Sequence, residues 1–76
     1  MKYKIIFDTT GLLSNNQIAQ ILNAIQPKEV ESHQQATNKL LLYASFDNEI
    51  DVAYINNRLT NIDFCVCKEV IYLNEL

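Results

Sequence analysis

The apolar positions of this chain change period as they run along it, and each change marks an element. Tyr3-Lys4-Ile5-Ile6-Phe7 is rich in β-branched and aromatic residues and predicts a first strand, ended by Thr9-Thr10-Gly11. Ile18, Ile21, Leu22 and Ile25 then recur at i, i+3, i+4 and i+7, one face of a helix. Ser14 is placed to cap that helix, Gln17 three residues on to complete a capping box, and Leu13 to pack on Ile18 as a hydrophobic staple. Pro27 ends the helix, because the residue before a proline disfavours helical backbone. Val30 to Gln35 predicts a weaker strand, with Val30, Ser32 and Gln34 alternating against Glu31, His33 and Gln35. Ala36-Thr37-Asn38 turns the chain into a stronger strand over Lys39 to Phe46. Leu40 to Tyr43 would also suit a helix, but the flanking turn signals together with Tyr43 and Phe46 favour the strand. Asp47 and Asn48 offer cap chemistry for a second helix with the stripe Val52, Ile55 and Leu59 and Tyr54 at its edge. Asn61 to Asp63 leads out of it, and Phe64 to Leu73 predicts a long last strand.

The resulting order, βαββαβ, predicts an α+β fold of the ferredoxin-like, split-βαβ kind. Right-handed crossovers place the third and fourth strands on either side of the first. The expectation is one domain over 1–76: a four-stranded antiparallel sheet with two helices on one face. The length supports this, since 76 residues make one domain that buries roughly 60% of its unfolded surface. Hydrophobic residues are 49% of the chain, which argues against disorder. The net charge of −3 and the scattered basic residues Lys2, Lys4, Lys28, Lys39, Arg58 and Lys68 argue against a nucleic-acid partner. No signal-like segment follows Lys2 and Lys4, and no apolar run approaches the roughly 18 residues that span a bilayer. The sequence thus predicts a cytoplasmic protein with no membrane association.

The segment Gly11-Leu12-Leu13-Ser14-Asn15-Asn16-Gln17 stands between the first strand and the first helix. Val30-Glu31-Ser32, the pattern from Leu42 through Phe46, and Ile62-Asp63-Phe64 follow in register. Over roughly residues 3 to 70 the chain resembles a heavy-metal-associated domain, the fold of small copper chaperones. In that family the loop reads Gly-Met-x-Cys-x-x-Cys; here Ser14 and Gln17 stand where both thiols would be. The resemblance implies the ferredoxin-like fold and, with the thiols gone, a lost metal function. Ser and Gln are poor ligands for monovalent copper or zinc, and capping the helix explains both.

The remaining candidate chemistry is thin. Cys65 and Cys67, one residue apart on a strand, share a face and are the only soft ligands. A copper carrier using this pair is one alternative function; small apolar residues in a sheet is the plainer reading. His33 is the only histidine, on the strand expected at the opposite edge, and no motif ties a serine to it. Glu29 and Glu31, and Asp47, Glu49 and Asp51, are acidic groups, the second explained by a helix start. No catalytic residue and no cofactor is assigned. A small acidic inhibitor or regulator, of the kind phages and mobile elements encode, is a further alternative.

The open face of the sheet is the stronger candidate. With Ile5 and Phe7 toward the helices, alternation turns Lys4 and Ile6 outward, and Leu41 and Tyr43 opposite Leu40, Leu42 and Ala44. In the last strand Phe64, Val66 and Val70 are expected inward, and Cys65, Cys67, Ile71 and Leu73 outward. A sheet face this apolar predicts a contact surface, centred on Leu41, Tyr43, Cys67, Ile71 and Leu73. The final segment from Val70 to Leu76, with an apolar strand at the sheet edge, also invites pairing with another chain. The expected function is a non-catalytic protein-interaction module, with a protein partner or a homodimer formed through the sheet face or the C-terminal strand.

Overall fold

In the computed structural model, which describes residues 1–73, the elements run β1 (Lys2–Thr9), α1 (Asn15–Ile25), β2 (Glu29–Ala36), β3 (Lys39–Ser45), α2 (Val52–Arg58) and β4 (Cys65–Leu73). Residues 74–76, the end of the final segment Val70 to Leu76, lie outside the described residues. The four strands form one antiparallel sheet in the order β2-β3-β1-β4. The third and fourth strands thus flank the first.

The alternation of β1 sets the two faces. Tyr3, Ile5, Phe7 and Thr9 are buried, and Lys2, Lys4, Ile6 and Asp8 between them are partly exposed. On β3, Leu40, Leu42 and Ala44 share the buried side. Ile18, Ile21 and Ile25 of α1 and Ile55 and Leu59 of α2 join these residues in one apolar cluster. Both helical stripes therefore close over the same side of the sheet, and the side carrying Lys4, Ile6, Leu41 and Tyr43 is left open.

The first helix begins as its sequence requires. Ser14 Oγ accepts from the Gln17 N–H at 3.2 Å, and Gln17 Oε1 accepts from the Ser14 N–H at 2.8 Å, a complete capping box. Leu13 and Ile18 are both buried in the core. Gly11, at φ 127°, occupies backbone that a side chain would strain. Gln26 ends the helix in the left-handed region, its N–H bonded to the Leu22 carbonyl. The second helix differs from expectation. Its cap is Asp51, which accepts from the Tyr54 N–H at 2.7 Å, and not Asp47 or Asn48. The stripe Val52, Ile55 and Leu59 fixes the helical phase, and Asp51 is the residue immediately before its first turn.

Two irregularities break the period of two. Between β2 and β3 the register shifts at Glu31, and every residue of β2 is exposed, so that strand carries no core side chain. Between β1 and β4 the register shifts where Ile6 opposes Glu69 and Phe7 opposes Cys67, leaving Lys68 as an extra residue in β4. A bulge of this kind inverts the facing of everything on one side of it.

Candidate functional site

The Lys68 bulge decides which side chains the open face carries. Beyond it the expected facing holds: Val70 lies opposite buried Ile5, whereas Ile71 and Leu73 lie opposite Lys4 and Lys2 on the open side. Before it the facing is reversed. Cys65 and Cys67 lie opposite Thr9 and Phe7 on the helix side, and Cys67 is 2% exposed. Val66, expected inward, is 44% exposed on the open side. Of the expected contact residues, Leu41, Tyr43, Ile71 and Leu73 share the open face, and Cys67 belongs to the core beneath it.

The open face therefore reads in cross-strand rows. Gln34, Leu41, Ile6 and Glu69 form one row; Ser32, Tyr43, Lys4 and Ile71 the next; Glu29, Ser45, Lys2 and Leu73 the third. The apolar members are all partly buried. The Lys4 ammonium lies 5.9 Å from the centre of the Tyr43 ring, a cation–π contact. Ile6, Gln34, Ala36 and Leu41 line a shallow depression at one end. The face is an apolar strip interleaved with charge, and the bulge gives it Val66 in place of Cys65 and Cys67.

Polar side chains lock both edges of the sheet. Gln35 on β2 accepts from the Leu13 N–H at 2.8 Å and donates to the Leu13 carbonyl at 3.0 Å, tying the α1 entry loop to the edge strand. Asn56 on α2 does the same at the other edge: it accepts from the Cys67 N–H at 2.8 Å and donates to the Cys67 carbonyl at 3.0 Å. Nothing in the sequence marks Gln35 or Asn56, since Asn and Gln are scattered through the chain and only topology brings these two to strand backbone. Arg58 adds a tie between helices, donating to the Ala24 carbonyl and to Gln26 Oε1, both at 3.1 Å.

The cysteines share a face, and that face is buried. Burial pushes both thiols up to about 11, and at Cys67 a backbone hydrogen bond with Glu69 opposes the rise only in part. Metal binding needs thiolates, so the site is built against ionisation. His33 lies on β2, at the edge opposite β4, which separates it from the pair. Among the described residues no group of three or more His, Cys, Asp or Glu side chains is placed to hold a metal ion.

The acidic groups have structural occupations. Asp8 pairs with Lys39 and lies 3.8 Å from Lys68; the Lys39 hydrogen bond holds its carboxyl below the usual value. Glu31 pairs with Lys2 at 2.6 Å, Asp47 lies 3.6 Å from Lys28, and Asp51 caps α2. Comparison with protein-family models, with curated proteins and with solved structures finds no match to this chain. Among the described residues no helix is long and apolar enough to cross a membrane.

Proposed function

We propose that this chain is a small non-catalytic protein-interaction module whose contact surface is the open face of its sheet. We further propose that it is a ferredoxin-like domain resembling the heavy-metal-associated type, with the helix cap of Ser14 and Gln17 in place of the metal-binding thiols. The strand order and the placement of both helices on one side support that architecture. One observation carries the functional reading. Ile6, Leu41, Tyr43, Ile71 and Leu73 lie together on the side away from the helices, outside the core that the helices close. The burial of Cys65 and Cys67 supports an interaction module over a copper carrier.

Photo-crosslinking tests the reading. Benzoylphenylalanine in place of Tyr43 is expected to form an adduct with one defined protein, a second copy or another chain. The same probe in place of Tyr54, exposed on α2, is expected to form none. Leu41→Lys should abolish the Tyr43 adduct. Absence of a Tyr43 adduct, or equal adducts from both positions, overturns the assignment.

A further inference from the structure

The outer edge of β4 is capped by a side chain at Cys67 and open beyond the bulge. Consecutive residues of an antiparallel strand direct their N–H and C=O alternately to the two flanking positions. Met1 exchanges backbone bonds with Phe46 on the β3 side, at 3.1 and 2.8 Å, and the Thr10 N–H bonds Phe64 on the β4 side. Odd residues of β1 therefore turn to β3 and even residues to β4. Lys2, Lys4 and Ile6 face Leu73, Ile71 and Glu69 across the ladder, so Val70 and Tyr72 direct their backbone groups away from β1. Before the bulge the outward residues are Cys65 and Cys67, opposite Thr9 and Phe7, and Asn56 occupies both groups of Cys67. Helix α2 thus caps the edge at Cys67, next to the bulge. The downstream half presents two N–H and two C=O groups in strand geometry, whose complement is another extended backbone.

We propose that this half-edge pairs with itself: β4 of one copy lies antiparallel to β4 of a second copy, about a two-fold axis at Ile71. The inference rests on the interaction-module reading and names one of its contacts. Among the described residues the segment after the bulge, Glu69–Leu73, is centred on Ile71, so the two-fold pairs every residue in it. Val70 then exchanges two backbone bonds with Tyr72 of the second copy, and Tyr72 two with that copy's Val70.

The side chains fit the same operation. Tyr72 is 55% exposed on the helix side, its ring 5.6 Å from Tyr3. Beside Val70 on that side lies an open depression of about 460 Å³ lined by Met1, Tyr3, Glu49, Ile50, Val70 and Tyr72. An exposed aromatic and an open depression of mixed polar and apolar lining, two residues apart on one strand, are self-complementary in this register. On the other side Ile71 meets Ile71, and each Glu69 opposes a Leu73 and not a second carboxylate. The other edge strand, β2, is exposed throughout and polar, with Glu29, Glu31, Ser32, His33, Gln34 and Gln35.

Three measurements on the full chain test this. Sedimentation across micromolar to millimolar concentration should show a monomer–dimer equilibrium. Val70→Pro removes an outward N–H without touching the β1 ladder, an edge position where proline is tolerated; it should weaken the dimer about tenfold or more. Ile71→Cys should form a disulfide dimer with oxidised glutathione. The paired positions would be non-hydrogen-bonded neighbours about 4.5 Å apart, within disulfide range. Leu41→Cys, on the open face but away from the edge, should form no disulfide-linked dimer. If Val70→Pro does not fold, amide exchange decides: the Val70 and Tyr72 amides of the unaltered chain should slow as concentration rises. A monomer that still crosslinks through position 43 overturns the edge pairing and leaves the module reading standing. So does a dimer lost on Leu41→Lys but indifferent to Val70→Pro. A monomer with no contact at position 43 overturns both.

Discussion

Replacing Asn56 with alanine tests the tie between α2 and the sheet edge. The Asn56 amide makes two hydrogen bonds, at 2.8 and 3.0 Å, to the N–H and carbonyl of Cys67. Each is a neutral, partly buried bond with a net contribution of about 0.5 to 1.5 kcal/mol. Against that loss, alanine is the better helix former by about 0.5 kcal/mol. The expected destabilisation is therefore about 1 to 2 kcal/mol. For a chain this short each kcal/mol moves the melting temperature by roughly 4–8 °C, so Asn56→Ala should melt about 5–15 °C lower. Thermal and urea unfolding followed by circular dichroism measure the loss. Amide exchange locates it, because the Cys67 N–H should lose protection while amides in the β1–β3 ladder keep theirs down to global unfolding. Asn56→Asp keeps an acceptor for the N–H but turns a carboxylate oxygen on the Cys67 carbonyl, so at neutral pH it should be no more stable than the alanine variant. Unchanged Cys67 exchange together with unchanged stability in Asn56→Ala would refute the clamp, and with it the account of why the β4 edge is closed at Cys67.

Three further predictions concern the cap, the cysteines and Asp8. Ser14→Ala should cost about 1 kcal/mol in urea unfolding, and Ser14→Asp should recover most of it, since an aspartate can accept the same Gln17 N–H. Both thiols should react with a disulfide reagent at pH 8 far more slowly in the folded chain than in urea, because burial raises each to about 11. The same shift stabilises the fold fully below the ordinary thiol pKa, and that contribution is lost as pH rises toward 11, so a Cys65→Ala/Cys67→Ala variant should show a shallower alkaline decline. Asp8 is held below its usual value by Lys39. Its contribution is present above the unfolded carboxylate pKa and lost as pH falls through the lower folded one, so Asp8→Asn should flatten that acid limb, and added salt should shrink the difference because the pair is on the surface.

Much of the architecture was legible because it depends on neighbours in the chain. The spacing of Ile18, Ile21 and Ile25 places α1, and Ser14 with Gln17 marks its start to the residue, because a cap is a contact across one helical turn. The alternation of Ile5 and Phe7 against Lys4 and Ile6 gives β1 its two faces, and the crossover rule orders the strands around it. The candidate surface was legible in part. Leu41, Tyr43, Ile71 and Leu73 fall on the open side where alternation puts them, and Cys67 does not.

What the sequence determined by itself is the set of elements, their order and the facing of any stretch whose period is unbroken, since period and capping are local properties. What the tertiary structure alone decided is where that period breaks. Lys68 is an extra residue only with respect to β1, its partner across the sheet, and no pattern within β4 announces it. That one insertion buries the two cysteines, exposes Val66 and leaves Ile71 and Leu73 in place. Asn56 and Gln35 are equally unmarked along the chain and become clamps only when α2 and the α1 loop come to rest against strand edges. Contacts that join distant parts of the chain set the working surface here, because facing at a sheet edge depends on register, and register belongs to two strands at once.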